Sequence, residues 1–139
     1  FNSSIRKNLL EFCRKLAVKN ISFVNTDYKK FKLDSLTSND FCYFDPPYYL
    51  GDASYNENDG WNENKEKELL EYLNEVDKHG IKFALSNVTE HKGLKNEMLI
   101  NWAIENQYNI HNLNYNYRNS NYHLKNKNQV TKEVLITNY

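Results

Sequence analysis

Three short apolar runs, ISFVN (21–25), FCYFD (41–45) and IKFALSN (81–87), are set among segments whose apolar residues recur at helical spacing. Runs this short, rich in aromatic and β-branched residues, are the pattern of strands buried in a sheet covered on both faces. Ahead of them, residues 4–18 place Ile5, Leu9, Phe12, Cys13 and Leu16 on one helical face, with Ser3 and Ser4 as caps. ENKEKELLEYLNEVDKHG (63–80) stacks Leu69, Leu70, Leu73 and Val76, and its Gly80 can end the helix in a left-handed conformation. Residues 94–105, with Leu94, Met98, Leu99 and Trp102, form a third amphipathic pattern. The order strand, strand, helix, strand, helix restricts the chain to an α/β fold with a mainly parallel sheet and right-handed crossovers. YNIHNLNYNY (108–117) and QVTKEVLITNY (129–139) flank the polar RNSNYHLKNKN and close the fold as an antiparallel hairpin. At 139 residues one domain, 1–139, is expected.

Lys plus Arg and Asp plus Glu each number 18, so net charge selects no polyanionic partner. The distribution is uneven: residues 1–32 are basic, 52–77 mostly acidic, and 115–132 basic with interleaved Tyr and Asn. Two cysteines, Cys13 in a helical pattern and Cys42 in an apolar run, have no pairing logic and read as reduced core thiols of a cytoplasmic protein. No apolar stretch reaches the roughly 18 residues of a membrane span, so no membrane partner is expected. The four histidines (His79, His91, His111, His123) lack ligand spacing, so no metal is expected.

Ligands of open parallel sheets bind beyond the carboxyl ends of the strands. The first run ends in NTDY, which brings Asp27 and Tyr28 to that rim; the second ends in DPPY, which brings Asp45 to Tyr48; the third ends in SNV, which brings Ser86 and Asn87. Pro46 and Pro47 are the chain's only prolines. Each fixes its own φ and holds the residue before it extended, so Asp45 and Pro46 are stiff. Neither proline offers an N–H, and the polar groups left are acceptors: the Asp45 carboxylate and the Asp45 and Pro46 carbonyls. Such a rigid pair suits an amino group with two hydrogens to donate, and Tyr48 can stack on the ring that carries it. The amine of adenine is a poor nucleophile because its lone pair is delocalised. Accepting both hydrogens localises that pair for in-line attack. A sulfonium methyl near aromatic faces and carboxylates is a fitting electrophile, and the chemistry implied is methyl transfer.

DPPY after an apolar strand, with NTDY upstream, KFALSNV after the next helix and a closing TKEVLITNY, resembles the Dam-type DNA adenine-N6 methyltransferases that use S-adenosylmethionine. The resemblance runs along all 139 residues but only to the carboxyl-terminal half of such an enzyme. It implies a partial Rossmann-like methyltransferase fold with its N-terminal strands missing. Asp45 and the Pro46 carbonyl would hold the amino group of a flipped adenine, Tyr48 would stack on the base, and Pro47 and Tyr49 would touch it. Asp27 and Tyr28, with Asp45, would lie at S-adenosylmethionine. The run from Tyr115 to Tyr122, including Asn119 and Tyr122, would lie near the base or the DNA backbone. Glycines stand only at 51, 60, 80 and 93, and none forms the family's F-x-G-x-G loop for the methionine portion of the donor. The expected partners are therefore double-stranded DNA and a missing N-terminal half of the same protein, and the piece alone is expected to be nearly inactive. Such enzymes commonly belong to restriction-modification systems. The competing reading is a noncatalytic remnant that binds DNA or a partner chain through Arg118, Lys125, Lys127 and the tyrosines.

Overall fold

The computed structural model describes residues 2–50, 60–113 and 131–139. The chain divides into two compact units, 1–31 and 32–139.

In the first unit, α1 (Ser3–Val18) begins one residue earlier than the serines suggest: Asn2 is the cap, and its Oδ1 accepts from the Ile5 N–H at 2.9 Å. No α1 residue is buried; Ile5, Leu9 and Phe12 of the apolar stripe are about half exposed, and Cys13 is exposed rather than a core thiol. The expected strand at 21–25 is irregular backbone, with Phe23 79% and Val24 78% exposed. A strand exists only with a partner for its N–H and C=O groups, and no described strand pairs with these residues. Asp27 follows as the cap of a 3-10 turn (Tyr28–Lys30), its carboxylate accepting from the Lys29 N–H at 2.9 Å.

The second unit holds a mixed sheet of β1 (Phe41–Phe44), β2 (Lys82–His91), β3 (Leu94–Lys95), β4 (Asn109–Leu113) and β5 (Thr131–Thr137). Its described order is β1-β2-β5-β4, with β3 on the far end of β2. Only β1 and β2 run parallel, with Phe44 opposite Leu85 as the last pair; β2–β5, β4–β5 and β2–β3 are antiparallel. The described sheet is therefore not mainly parallel. The run at 21–25 adds no strand, and the closing strand β5 inserts between β2 and β4, where it makes the longest ladder of the sheet. The expected antiparallel pair at the end is present as β4 and β5, while the segment joining them lies outside the described residues.

Helices α2 (Glu63–Lys78) and α3 (Glu97–Glu105) lie against one face of the sheet. Leu69, Leu70, Leu73 and Val76 of α2 and Phe83, Leu85, Val134 and Ile136 of the sheet are all buried, at 0–3% exposure. Phe83 stacks near Trp102 of α3 and meets Phe44 and Tyr108 edge-on. The opposite face is open at β1, where Phe41 and Tyr43 are more than half exposed. That alternation replaces the two-sided burial expected of FCYF.

Gly80, at φ +69°, ends α2 as anticipated: its N–H reaches the Asp77 carbonyl at 2.7 Å and the Ile81 N–H reaches that of Val76 at 3.2 Å. One element had no place in the sequence reading. β2 overruns residue 87 and turns through Lys92 and Gly93, both at positive φ, into β3. Two consecutive left-handed residues suit a two-residue hairpin, and Gly93 takes the second position without strain.

Candidate active site

β1 delivers DPPY to the edge of the sheet. Pairing with β2 stops at Phe44 and Leu85, and the two residues that could extend it soonest beyond Asp45 are prolines without an N–H. β2 continues past the end of β1 for six residues, from Ser86 to His91, still paired with β5 on its other edge, so its carboxyl half flanks the segment that leaves β1. Asp45, Pro46, Pro47 and Tyr48 line an open hollow of about 380 Å³.

Asp45 is exposed, whereas Pro46, Pro47, Tyr48 and Tyr49 are half-buried. The Tyr48 hydroxyl and Ser86 Oγ share a hydrogen bond of 3.2 Å, which tethers the aromatic ring to β2. Burial pushes the Tyr48 phenol above its ordinary pKa, against the opposing effect of the Ser86 bond, with the nearby Asp45 charge adding to the rise. The phenol is thus neutral at physiological pH and serves as a ring and a hydrogen-bonding group. Cys42, three residues before Asp45, is half-buried within β1, and burial raises its thiol pKa further, aided by Asp40. A protonated, strand-bound thiol is a poor nucleophile.

The structure thus brings together four of the expected residues, Asp45, Pro46, Pro47 and Tyr48, with Tyr49 in the turn that follows. Asp27 and Tyr28 belong to the first unit, and Asp27 caps its own turn while Tyr28 is half-buried. Asn119 and Tyr122 lie outside the described residues.

A second polar cluster escaped the sequence reading. Glu66, on the apolar face of α2, is fully buried and accepts from three side chains: Trp61 Nε1 at 2.6 Å, Asn87 Nδ2 at 2.9 Å and Asn96 Nδ2 at 3.1 Å. The sequence does carry a signal for it. Glu66 stands three, four, seven and ten residues before Leu69, Leu70, Leu73 and Val76, so a carboxylate occupies the helical stripe that faces the core. Gly60 and Trp61 lie just ahead of α2, and Lys65 Nζ donates to the Gly60 carbonyl at 2.8 Å. Among the described residues no group of three His, Cys, Asp or Glu is placed to hold a metal, and no helix is long and apolar enough to cross a membrane.

The family model for D12 class N6 adenine-specific DNA methyltransferases matches residues 1–119. Over its whole length the chain is 43% identical to the modification methylase StsI of Streptococcus sanguinis and 40% identical to the type II methyltransferase M.FokI of Planomicrobium okeanokoites. It spans 22% of the length of each of these two relatives. Over 70% of the chain it is 39% identical to the modification methylase LlaI of Lactococcus lactis subsp. lactis, covering 15% of that protein. With DPPY at the exit of β1 and a family match across most of its residues, the chain belongs to the D12 class of N6 adenine-specific DNA methyltransferases.

Proposed function

We propose that this chain is the base-pocket part of a modification methyltransferase that transfers a methyl group to N6 of adenine in double-stranded DNA. The observation that carries the reading is the hollow at the end of β1, where acceptor groups without neighbouring proline N–H donors stand beside a tethered aromatic ring. Relatives named as modification methylases support it, and restriction-modification is the setting they suggest for this protein, in the cytoplasm.

In this mechanism a flipped adenine enters the hollow and lies against Tyr48, whose ring is kept in place through Ser86. Stacking of this kind is favourable by about 1–3 kcal/mol per base. The Asp45 carboxylate and the Pro46 carbonyl accept the two amino hydrogens. That draws the nitrogen towards tetrahedral geometry and directs its lone pair out of the ring plane. S-adenosylmethionine supplies an electrophilic methyl on a sulfonium sulfur. With that donor bound, the N–C bond would form as the S–C bond breaks and leaves its electron pair on sulfur, and the exposed Asp45 carboxylate would pass the surplus amine proton to water. The hollow is open and acceptor-lined, which fits a cationic donor at its mouth. Asp27 and Tyr28 are assigned to the donor's adenine ring; since the Asp27 carboxylate caps a turn, its part there is to hold Tyr28 at a fixed angle. Asn119 and Tyr122 are assigned to the base or the adjoining strand. A partial Rossmann-like sheet, completed by strands from the rest of the protein, is the architecture that this assignment requires, with 1–139 as one part of the catalytic domain.

The test is transfer of labelled methyl from S-adenosylmethionine to unmethylated duplex DNA by the full-length protein that carries this chain, followed by nucleoside analysis. N6-methyladenine is the expected product. Methylcytosine, or no methylated base from folded protein, would overturn the reading and leave a DNA- or partner-binding role.

A further inference from the structure

The Glu66 cluster and the base pocket sit on opposite sides of one short stretch of β2. Successive strand residues point to opposite faces, so Ser86 reaches Tyr48 on one side while Asn87 reaches Glu66 on the other. Directly beyond them the β2–β5 register shifts: Val88 pairs with Glu133, Glu90 pairs with Lys132, and Thr89 is left between. A bulge of this kind bends a strand and re-aims the side chains next to it.

Two of the three residues that donate to Glu66 also hold the bulge. Asn87 Oδ1 accepts from the Val88 N–H at 2.7 Å, and the Asn96 N–H donates to the Thr89 carbonyl at 2.9 Å. Both amides then turn their Nδ2 groups to a single oxygen, Glu66 Oε1. The other oxygen, Oε2, takes the indole N–H of Trp61, just ahead of α2. None of the three donors is charged. Two neutral amides, Asn87 and Asn96, thereby tie the buried carboxylate to backbone geometry at two places, Val88 and Thr89.

We propose that Glu66 is a positioning residue for the base pocket: its buried carboxylate locks the β2 bulge and Trp61, and so sets the direction from which Ser86 holds Tyr48. The inference rests on the adenine-methylation reading and deepens it. Glu66 touches no substrate. Its effect reaches the base through Asn87, the strand and the Tyr48 ring.

A double-mutant cycle in the full-length enzyme tests this, with kcat for adenine methylation measured in wild type, Glu66→Gln, Ser86→Ala and the double variant. Glutamine keeps the shape but turns an N–H₂ group towards at least one of the three donors. For Glu66→Gln, kcat is expected to fall about 10- to 100-fold, the scale on which a misplacement near an ångström is felt, with KM for the methyl donor little changed. Ser86→Ala alone is expected to lower kcat several-fold. In the Glu66→Gln background the Ser86 effect is expected to shrink to less than about twofold, because residues acting through one network are non-additive. A merely structural role for Glu66 would lower the folded fraction and leave the two factors multiplying. If Glu66→Gln does not fold, Trp61→Phe replaces it in the cycle, since it removes one N–H and keeps a ring. Multiplying factors, or a folded Glu66→Gln or Trp61→Phe enzyme with kcat within twofold of wild type, would overturn the inference alone. Absence of N6-methyladenine from the wild-type reaction would overturn the reading beneath it as well.

Discussion

Two carboxylates stand a few residues from the same point of β2 and live in opposite conditions. Asp45, at the exit of β1, is exposed above an open hollow, and the prolines that follow it bring no N–H donors of their own. Glu66, beneath the sheet, is fully buried and accepts from three side chains. The difference teaches what to expect of each: a carboxylate whose acceptor capacity is taken up by the fold stabilises the fold, and one left to solvent is available to a ligand. Disrupting Asp45 should cost chemistry and spare stability, whereas disrupting Glu66 should cost both.

The largest effect is expected at Asp45. Asp45→Asn should lower methyl transfer by roughly 1,000-fold, the scale of losing one group that stabilises developing charge, with no change in melting temperature. Phe83→Ala sharpens the contrast from the other side: a fully buried ring at the meeting of Phe44, Trp102 and Tyr108 should cost about 3–5 kcal/mol in denaturant unfolding. Glu66→Ala takes from the buried amides of Asn87 and Asn96 the carboxylate oxygen they share and should cost about 2–4 kcal/mol, read by the same unfolding experiment. An unchanged midpoint for Glu66→Ala would break the comparison. A smaller effect is expected at alkaline pH. Tyr48, Tyr72 and Tyr108 all have pKa values raised above the ordinary 10.0 by burial, and for Tyr108 the Asp77 carboxylate adds to it. The unfolded chain then loses its phenol protons first, so stability holds up to about pH 10 and falls as pH rises beyond it. Tyr108→Phe should flatten that fall in a series of melting temperatures taken between neutral and alkaline pH, because the Tyr108 hydroxyl donates to Asp77 Oδ2 at 3.1 Å.

Much of this was legible because it is local. The α2 stripe, the Gly80 stop and the exit of FCYF into DPPY follow from side-chain spacing and from the φ limits of glycine and proline, which act within a few residues. What was not legible is pairing. ISFVN has the composition of a strand, yet composition supplies no partner, and the described residues hold none for it. The place of β5 between β2 and β4 is a choice between ladders far apart in sequence, and the short hairpin into β3 turns on two positive-φ residues, one of them a lysine. For the site, DPPY announced itself, because rigidity and missing donors are properties of the residues. Glu66 was hidden among the other charges of a polar helix until its position on the apolar stripe was matched with Asn87 and Asn96, 21 and 30 residues away.

The most direct test of the central claim compares wild-type full-length protein with Asp45→Ala for two quantities at once, N6-methyladenine formed in duplex DNA and affinity for that duplex. An open carboxylate that serves the amine predicts that methylation is lost in Asp45→Ala while duplex binding and folding are retained. Methylation that survives in Asp45→Ala, or that falls only in step with binding, would contradict it.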